Sequence, residues 1–182
     1  ASPVARLQLH QGRVSGAILE NGETLDCAAL VFNGDTAALA NGLLGDELRR
    51  AVAVTPASAR SLSALTWNLV TPAQGFPLAR HTVFFSGDYT AEFKDILQAN
   101  RLPRDPTVYV CAHDRDGDGA SAVTGAERLM CLVNAPATAD LRPLSQADIA
   151  ACQERMLAKL ARSGLRLYAD PANTVCTTPA DF

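Results

Sequence analysis

Apolar and polar positions change their rhythm along the chain. Val4 to Leu9 alternates roughly with a period of two, and Val14 to Leu19 follows after His10-Gln11-Gly12-Arg13, so the opening reads as short strands. Asn21-Gly22 suits a type I′ hairpin turn, because both residues tolerate positive φ. Ala28 to Phe32 is apolar at every position, the pattern of a strand buried on both faces. Asp35 predicts a capped helix carrying Leu39, Leu43 and Leu44; Gly45-Asp46 interrupts it before a shorter helix with Leu48 and Val52. Thr55 to Arg60 reads as a linker.

From Ser61 the strands lengthen. Leu62 to Val70, His81 to Ser86, Thr107 to His113 and Leu129 to Val133 are strand-like, the last two joined by a polar connection. Thr90 to Asn100 predicts a helix with Phe93, Ile96 and Leu97 on one face, ended by Pro103 and Pro106. Ser145 to Asp148 resembles a capping box, with Asp in place of Glu. The helix it starts carries Ile149, Cys152, Met156, Leu157 and Leu160, and Gly164 closes it. Leu165 to Tyr168 and Thr174 to Thr177 complete the pattern as a last strand pair. Strands and helices do not alternate strictly, which excludes a doubly wound sheet. The expected class is α+β: a largely antiparallel sheet with helices on one face.

Composition narrows the function classes. Of 182 residues, 48% are hydrophobic and 19% charged, so the chain can bury a core. The net charge of −3, without basic clusters, argues against a nucleic-acid partner. No apolar run reaches the roughly 20 residues of a membrane span. The five cysteines form no C-x-x-C pair, which removes zinc-ribbon and thioredoxin-like readings and suits reduced thiols in a cytoplasm. The chain starts at Ala1 and stops at Phe182 without a basic or Gly-rich tail, which reads as a fragment of a longer protein.

Most local chemical signals fail on context. Asp114, Asp116, Asp118 and Gly119 begin like a calcium loop, but the twelfth position is Gly125 instead of a bidentate carboxylate. Gly117-x-Gly119-x-x-Ala122, with Asp140 beyond it, matches a dinucleotide fingerprint in spacing only: no strand runs into it and no helix follows. Cys111 and His113 share a strand face as a thiol–imidazole pair or two metal ligands, but no further ligands accompany them, and no metal site is assigned. No G-x-S-x-G elbow supports a serine nucleophile. Aromatic residues cluster between Trp67 and Tyr109. Leu65, Trp67 and Leu69 share one strand face, and Val83 and Phe85 share another. Such faces serve equally as core or as the wall of a tunnel for a long apolar ligand.

The residues themselves carry a family resemblance over essentially the whole chain. Arg13 to Glu23 (RVSGAILENGE) and Ala29 to Asp35 (ALVFNGD) resemble a hairpin and following strand of FAD-dependent, phytoene-type carotenoid desaturases, with mild departures at Cys27-Ala28 and Gly34. Ser63 to Leu69, His81 to Tyr89, Glu92-Phe93, Leu102 to Arg115, Asn134 to Pro136 and Thr178 to Phe182 are similar, in order and spacing, to that family's substrate domain. Within the family they look closest to bacterial members acting on hydroxylated or methoxylated neurosporene.

The resemblance implies that the parent desaturates an acyclic forty-carbon carotenoid across a C–C bond, with hydride passing to FAD. The Gly-rich FAD segments of the family are absent from this chain, so it corresponds to the central substrate-domain part. Residues 1–35 would link back toward the missing FAD domain, and residues 60–182 would form the substrate-binding sheet and helices. The fragment alone is expected to hold no FAD and to be inactive. Trp67, Val83, Phe85 and Tyr109 are the expected tunnel-wall residues, and Asn68, His81 or His113 the expected contacts to a terminal hydroxyl. No catalytic acid or base is identified. The expected partners are the apolar carotenoid and the missing FAD-binding segments. Carotenoids dwell in bilayers, so the cytoplasmic parent is also expected at the inner-membrane periphery. Two alternatives stay open: the substrate domain of another amine-oxidase-like flavoprotein, and a stand-alone binding or dimerisation module using its apolar face.

Overall fold

In the computed structural model, which describes residues 2–116, 123–139 and 141–181, two compact units divide between Arg60 and Ser61. The first is built on a three-stranded antiparallel sheet, β1 (Val4–His10), β2 (Arg13–Leu19) and β3 (Thr24–Asp26). The tight two-residue turn lies at Gln11-Gly12, where both residues have positive φ (51° and 77°) and His10 pairs with Arg13. At the expected Asn21-Gly22 turn only Gly22 has positive φ, at 86°, so that turn is not type I′. A longer connection forms there instead, in which Asn21 Oδ1 accepts the Glu23 amide at 3.0 Å.

The apolar run Ala28 to Phe32 forms no strand, and Val31 is 93% exposed. A strand buried on both faces needs a hydrogen-bonded neighbour along its edge, and none pairs with this run among the described residues. Asp35 caps α1 (Thr36–Ala40) through the Ala37 amide, as its side chain predicts. The helix stops before Leu43 and Leu44, at Asn41-Gly42, and a 3-10 turn spans Asp46–Arg50.

The second unit is a five-stranded antiparallel sheet with order β5-β6-β7-β4-β8. Its strands are β4 (Ser63–Thr71), β5 (His81–Phe84), β6 (Val108–Ala112), β7 (Glu127–Ala135) and β8 (Thr174–Thr177). The α+β class read from the sequence is therefore present, with two antiparallel sheets. The final strand pair differs. Thr174–Thr177 pairs with β4, and the 165–168 segment contributes only a bridge from Arg166 to Gln74. That bridge lies beside a close approach of two backbones: a Cβ on Gly75 would sit 2.3 Å from the Gly164 carbonyl oxygen.

The longest helix, α3 (Gln146–Arg162), begins with the reciprocal Ser145–Asp148 capping box. Its apolar stripe of Ile149, Cys152, Met156 and Leu160 joins Leu65, Trp67, Leu69, Cys131 and Val133 in one core. The predicted 90–100 helix splits into α2 (Tyr89–Phe93) and a π-helical turn over Lys94–Gln98. The wider turn breaks the 3.6-residue stripe, so Ile96 is buried while Leu97 is 63% exposed. Asp95 takes an inward position there, its carboxylate holding the Arg101 and Arg104 guanidiniums.

Candidate functional site

Strand alternation sorts the second unit's sheet into two chemically different faces. One face meets α3. In register across it stand Leu65 with Val133, Trp67 with Cys131, and Leu69 with Leu129, continued on β6 by Val108, Val110 and Ala112. All nine are essentially buried. At the end of this face Thr71 pairs with Glu127, whose carboxylate takes both Nε and Nη2 of Arg115 at 2.8 and 2.7 Å. Arg115 Nη1 also donates to the Leu78 carbonyl, so the buried charges are paired and hydrogen-bonded.

The opposite face is built from the intervening residues. One cross-strand row runs His81, Cys111, Met130, Asn68, Val175; the next runs Val83, Tyr109, Leu132, Thr66, Thr177. The centre of the face is therefore apolar and soft: Val83, Cys111, Met130 and Leu132, with the ring of Tyr109. Polar groups flank it on both sides, His81 on β5 and Asn68, Thr66 and Thr177 on β4 and β8. Exposure on this face is uneven: Val83, Val70 and Val175 are 44%, 50% and 65% exposed, while Cys111 and Thr66 are buried.

His81 and Tyr109 are joined across β5 and β6. The imidazole Nδ1 lies 2.7 Å from the phenol oxygen, and the rings stack with centroids 6.0 Å apart. Burial, with the Cys111 thiol beside it, pushes the Tyr109 phenol above its ordinary value, so it keeps its proton at neutral pH. One position along β6, Cys111 Sγ sits 3.9 Å from His113 Nδ1. Next to Val83, Phe85 continues the face past the end of β5 and opens an aromatic run through Tyr89 to Phe93, with centroid distances of 6.2 and 4.8 Å.

Buried polar contacts fix this corner. Glu92 accepts the Thr107 amide and hydroxyl at 2.9 and 2.6 Å, and the same hydroxyl oxygen accepts the Ser86 amide. Asp105 accepts the Gly87 amide and Lys159 Nζ of α3. Burial works against the Asp105 carboxylate, but Lys159 and the Gly87 amide hold it below its ordinary value.

Of the seven residues expected at the site, Asn68, His81, Val83, Tyr109 and, past the strand ends, Phe85 and His113 fall on the face opposite α3 by alternation. Trp67 does not join them. It is wholly buried on the α3 side, because its neighbour Asn68 takes the outward position. The sequence reading missed Cys111 as a member of this face's centre, and Met130 and Leu132 with it. Alternation along β7 carries that signal, once Glu127 is known to point inward. The calcium-like and dinucleotide-like spacings fall largely on 117–122 and 140, outside the described residues. Among the described residues no group of three or more potential metal ligands forms.

Comparison with known proteins gives this sheet a context. No family model matches the chain. It is 46% identical over 177 residues to the hydroxyneurosporene desaturase of Rubrivivax gelatinosus, covering 97% of this chain and 34% of the relative. The hydroxyneurosporene desaturase of Cereibacter sphaeroides is 40% identical over 181 residues, with 35% of it covered. The 4,4'-diapolycopene oxygenase of a Methylomonas species is 30% identical over 165 residues. The chain thus spans about a third of the length of these relatives. A solved flavin-dependent brominase aligns with 96% of the chain at 12% identity, but its TM-score of 0.40 is too low to assign a shared fold.

Proposed function

We propose, from 46% and 40% identity to two hydroxyneurosporene desaturases over about a third of their length, that the chain is a piece of a carotenoid desaturase. On this reading it is the substrate-binding part of that enzyme, and the sheet face opposite α3 forms one wall of the polyene site. The observation that carries this reading is the two-faced sheet. One face is packed under α3, while the other carries the exposed Val83, the half-buried Tyr109, Met130 and Leu132, and the buried Cys111 among them. A polyene offers no charge to grip, so its binding rests on apolar area at about 25 cal/mol per Å². A hydrogen-bonded sheet with an apolar centre supplies that area without leaving its inner strands' backbone groups unpaired.

FAD is proposed for the whole protein, as the desaturase relatives suggest. The described residues do not fit a flavin cradle. β6 and β7 are adjacent and antiparallel, whereas a dinucleotide cradle needs a strand followed by a helix and a parallel strand. A flavin would be held by other segments of the parent. The role left to this chain is to align the polyene and to exclude water from it.

The similarity to an oxygenase supports a second reading, terminal oxidation of a carotenoid, though at 30% identity against 46%. The test supplies the full-length protein with an acyclic carotenoid and analyses the product. A longer conjugated chain supports desaturation; an oxygenated terminus supports the second reading; no change in any carotenoid rejects both. No helix among the described residues is long and apolar enough to cross a membrane. Contact with the membrane surface stays part of the proposal because the substrate dwells there.

A further inference from the structure

We infer that the His81–Tyr109 pair is the subsite that selects an oxygen-bearing end of the substrate; this rests on the reading of the sheet face opposite α3 as the polyene wall. The pair stands at the border of the apolar centre, with Val83 and Cys111 completing the four-residue patch of β5 and β6. Its hydrogen-bonding capacity does not depend on which partner holds the shared proton. If the phenol donates to Nδ1, Nε2 carries a proton and the phenol oxygen keeps a free lone pair. If Nδ1 donates to the phenol oxygen, Nε2 is the acceptor and the phenol proton is free. Either way the pair presents one donor and one acceptor beyond its own 2.7 Å contact.

That combination matches an alcohol, which both gives and accepts a hydrogen bond. A methoxy oxygen uses only the donor, and a hydrocarbon end uses neither. The ranking follows: hydroxylated above methoxylated above unsubstituted. Each step is modest, because without a ligand the two side chains satisfy each other and no buried group is stranded. One net hydrogen bond corresponds to about threefold to tenfold in affinity. Asn68, across the face on β4, lies three strands from His81 in the same row, so it does not share this subsite.

The experiment uses the full-length protein and three acyclic forty-carbon polyenes with hydroxyl, methoxyl and unsubstituted ends. Binding is read from the shift in the polyene's visible absorption, and turnover as kcat/KM. The expected result is the stated order in the natural protein. Tyr109→Phe and His81→Phe, which keep ring stacking, should compress that order by about threefold to tenfold, mainly through KM. An order that survives both substitutions, or an equal loss on all three polyenes, overturns the subsite. Leu132→Asp at the centre of the face separates the two levels of the argument. If it leaves binding of all three polyenes intact, the wall reading itself fails, and the subsite with it. If it abolishes binding while the ring substitutions leave the order unchanged, only the subsite fails.

Discussion

Trp67 and Asn68 are neighbours in the chain and stand on opposite sides of β4, Trp67 wholly buried beneath α3 and Asn68 exposed on the other face. Their substitutions should therefore separate stability from binding. Trp67→Ala should cost about 3–5 kcal/mol of stability, the range for emptying a large aromatic from a packed core. Asn68→Ala should cost less than about 0.5 kcal/mol, as for an outward-facing residue. Urea midpoints at constant slope check both, and an unaffected midpoint in Trp67→Ala would contradict its place in the core.

The Arg115–Glu127 pair makes a sharper claim. Side-chain exposure of 10% and 1% leaves little water to compensate a lone charge. Glu127→Leu alone strands the guanidinium and should destabilise the chain by about 3–5 kcal/mol. Removing both charges, with Arg115→Met beside Glu127→Leu, should recover most of that loss. If the double variant is no more stable than the single one, the pair is not the reason for the loss.

Acid should weaken the second unit through two carboxylates. The Arg101 and Arg104 guanidiniums hold Asp95 well below the usual carboxylate range, and Arg128 lowers Asp114 from 3.8 to about 2. Depressed folded values mean stability that is fully present above the unfolded value and lost as pH falls through the folded one. Unfolding midpoints should thus be level above about pH 5 and decline toward pH 2. Asp114→Asn should flatten part of that decline. A profile of Asp114→Asn that parallels the natural chain across this window would refute the contribution of that pair.

The cysteines should differ in reactivity despite all being free. Burial pushes the Cys131 thiol up to about 12 and the Cys152 thiol to about 11; Cys131 lies in the core beneath α3 and Cys152 on the buried side of that helix. At about pH 8 a disulfide reagent should label half-buried Cys27 first, and reach Cys131 and Cys152 only at the rate of unfolding. Mass mapping after a short exposure reads this directly; early label on Cys131 would show that the core opens.

Much of this architecture was legible from local rules. Ser145 and Asp148 announced α3, and its stripe from Ile149 to Leu160 announced which side would be buried, because capping and the 3.6-residue period are properties of neighbours in sequence. The family resemblance likewise rested on ordered motifs and needed no coordinates. Other features depended on partners far along the chain. Ala28 to Phe32 has the composition of an inner strand but finds no pairing partner among the described residues, and Thr174–Thr177 chose β4 over the 165–168 segment.

The site shows the same division. Alternation placed Val83 with Phe85 and Cys111 with His113, since a strand's period is set by its own backbone. Which of the two faces α3 would cover was not a local property. It was decided by the register of β4 against β7, which puts Leu65, Trp67 and Leu69 opposite Val133, Cys131 and Leu129 as one apolar layer for the helix stripe. That packing turned Trp67 inward and left His81, Tyr109 and the Met130–Leu132 strip outward. Local chain geometry sets which residues share a strand face; long-range packing sets which way that face points, because burial is settled by the area that two distant elements remove from water together.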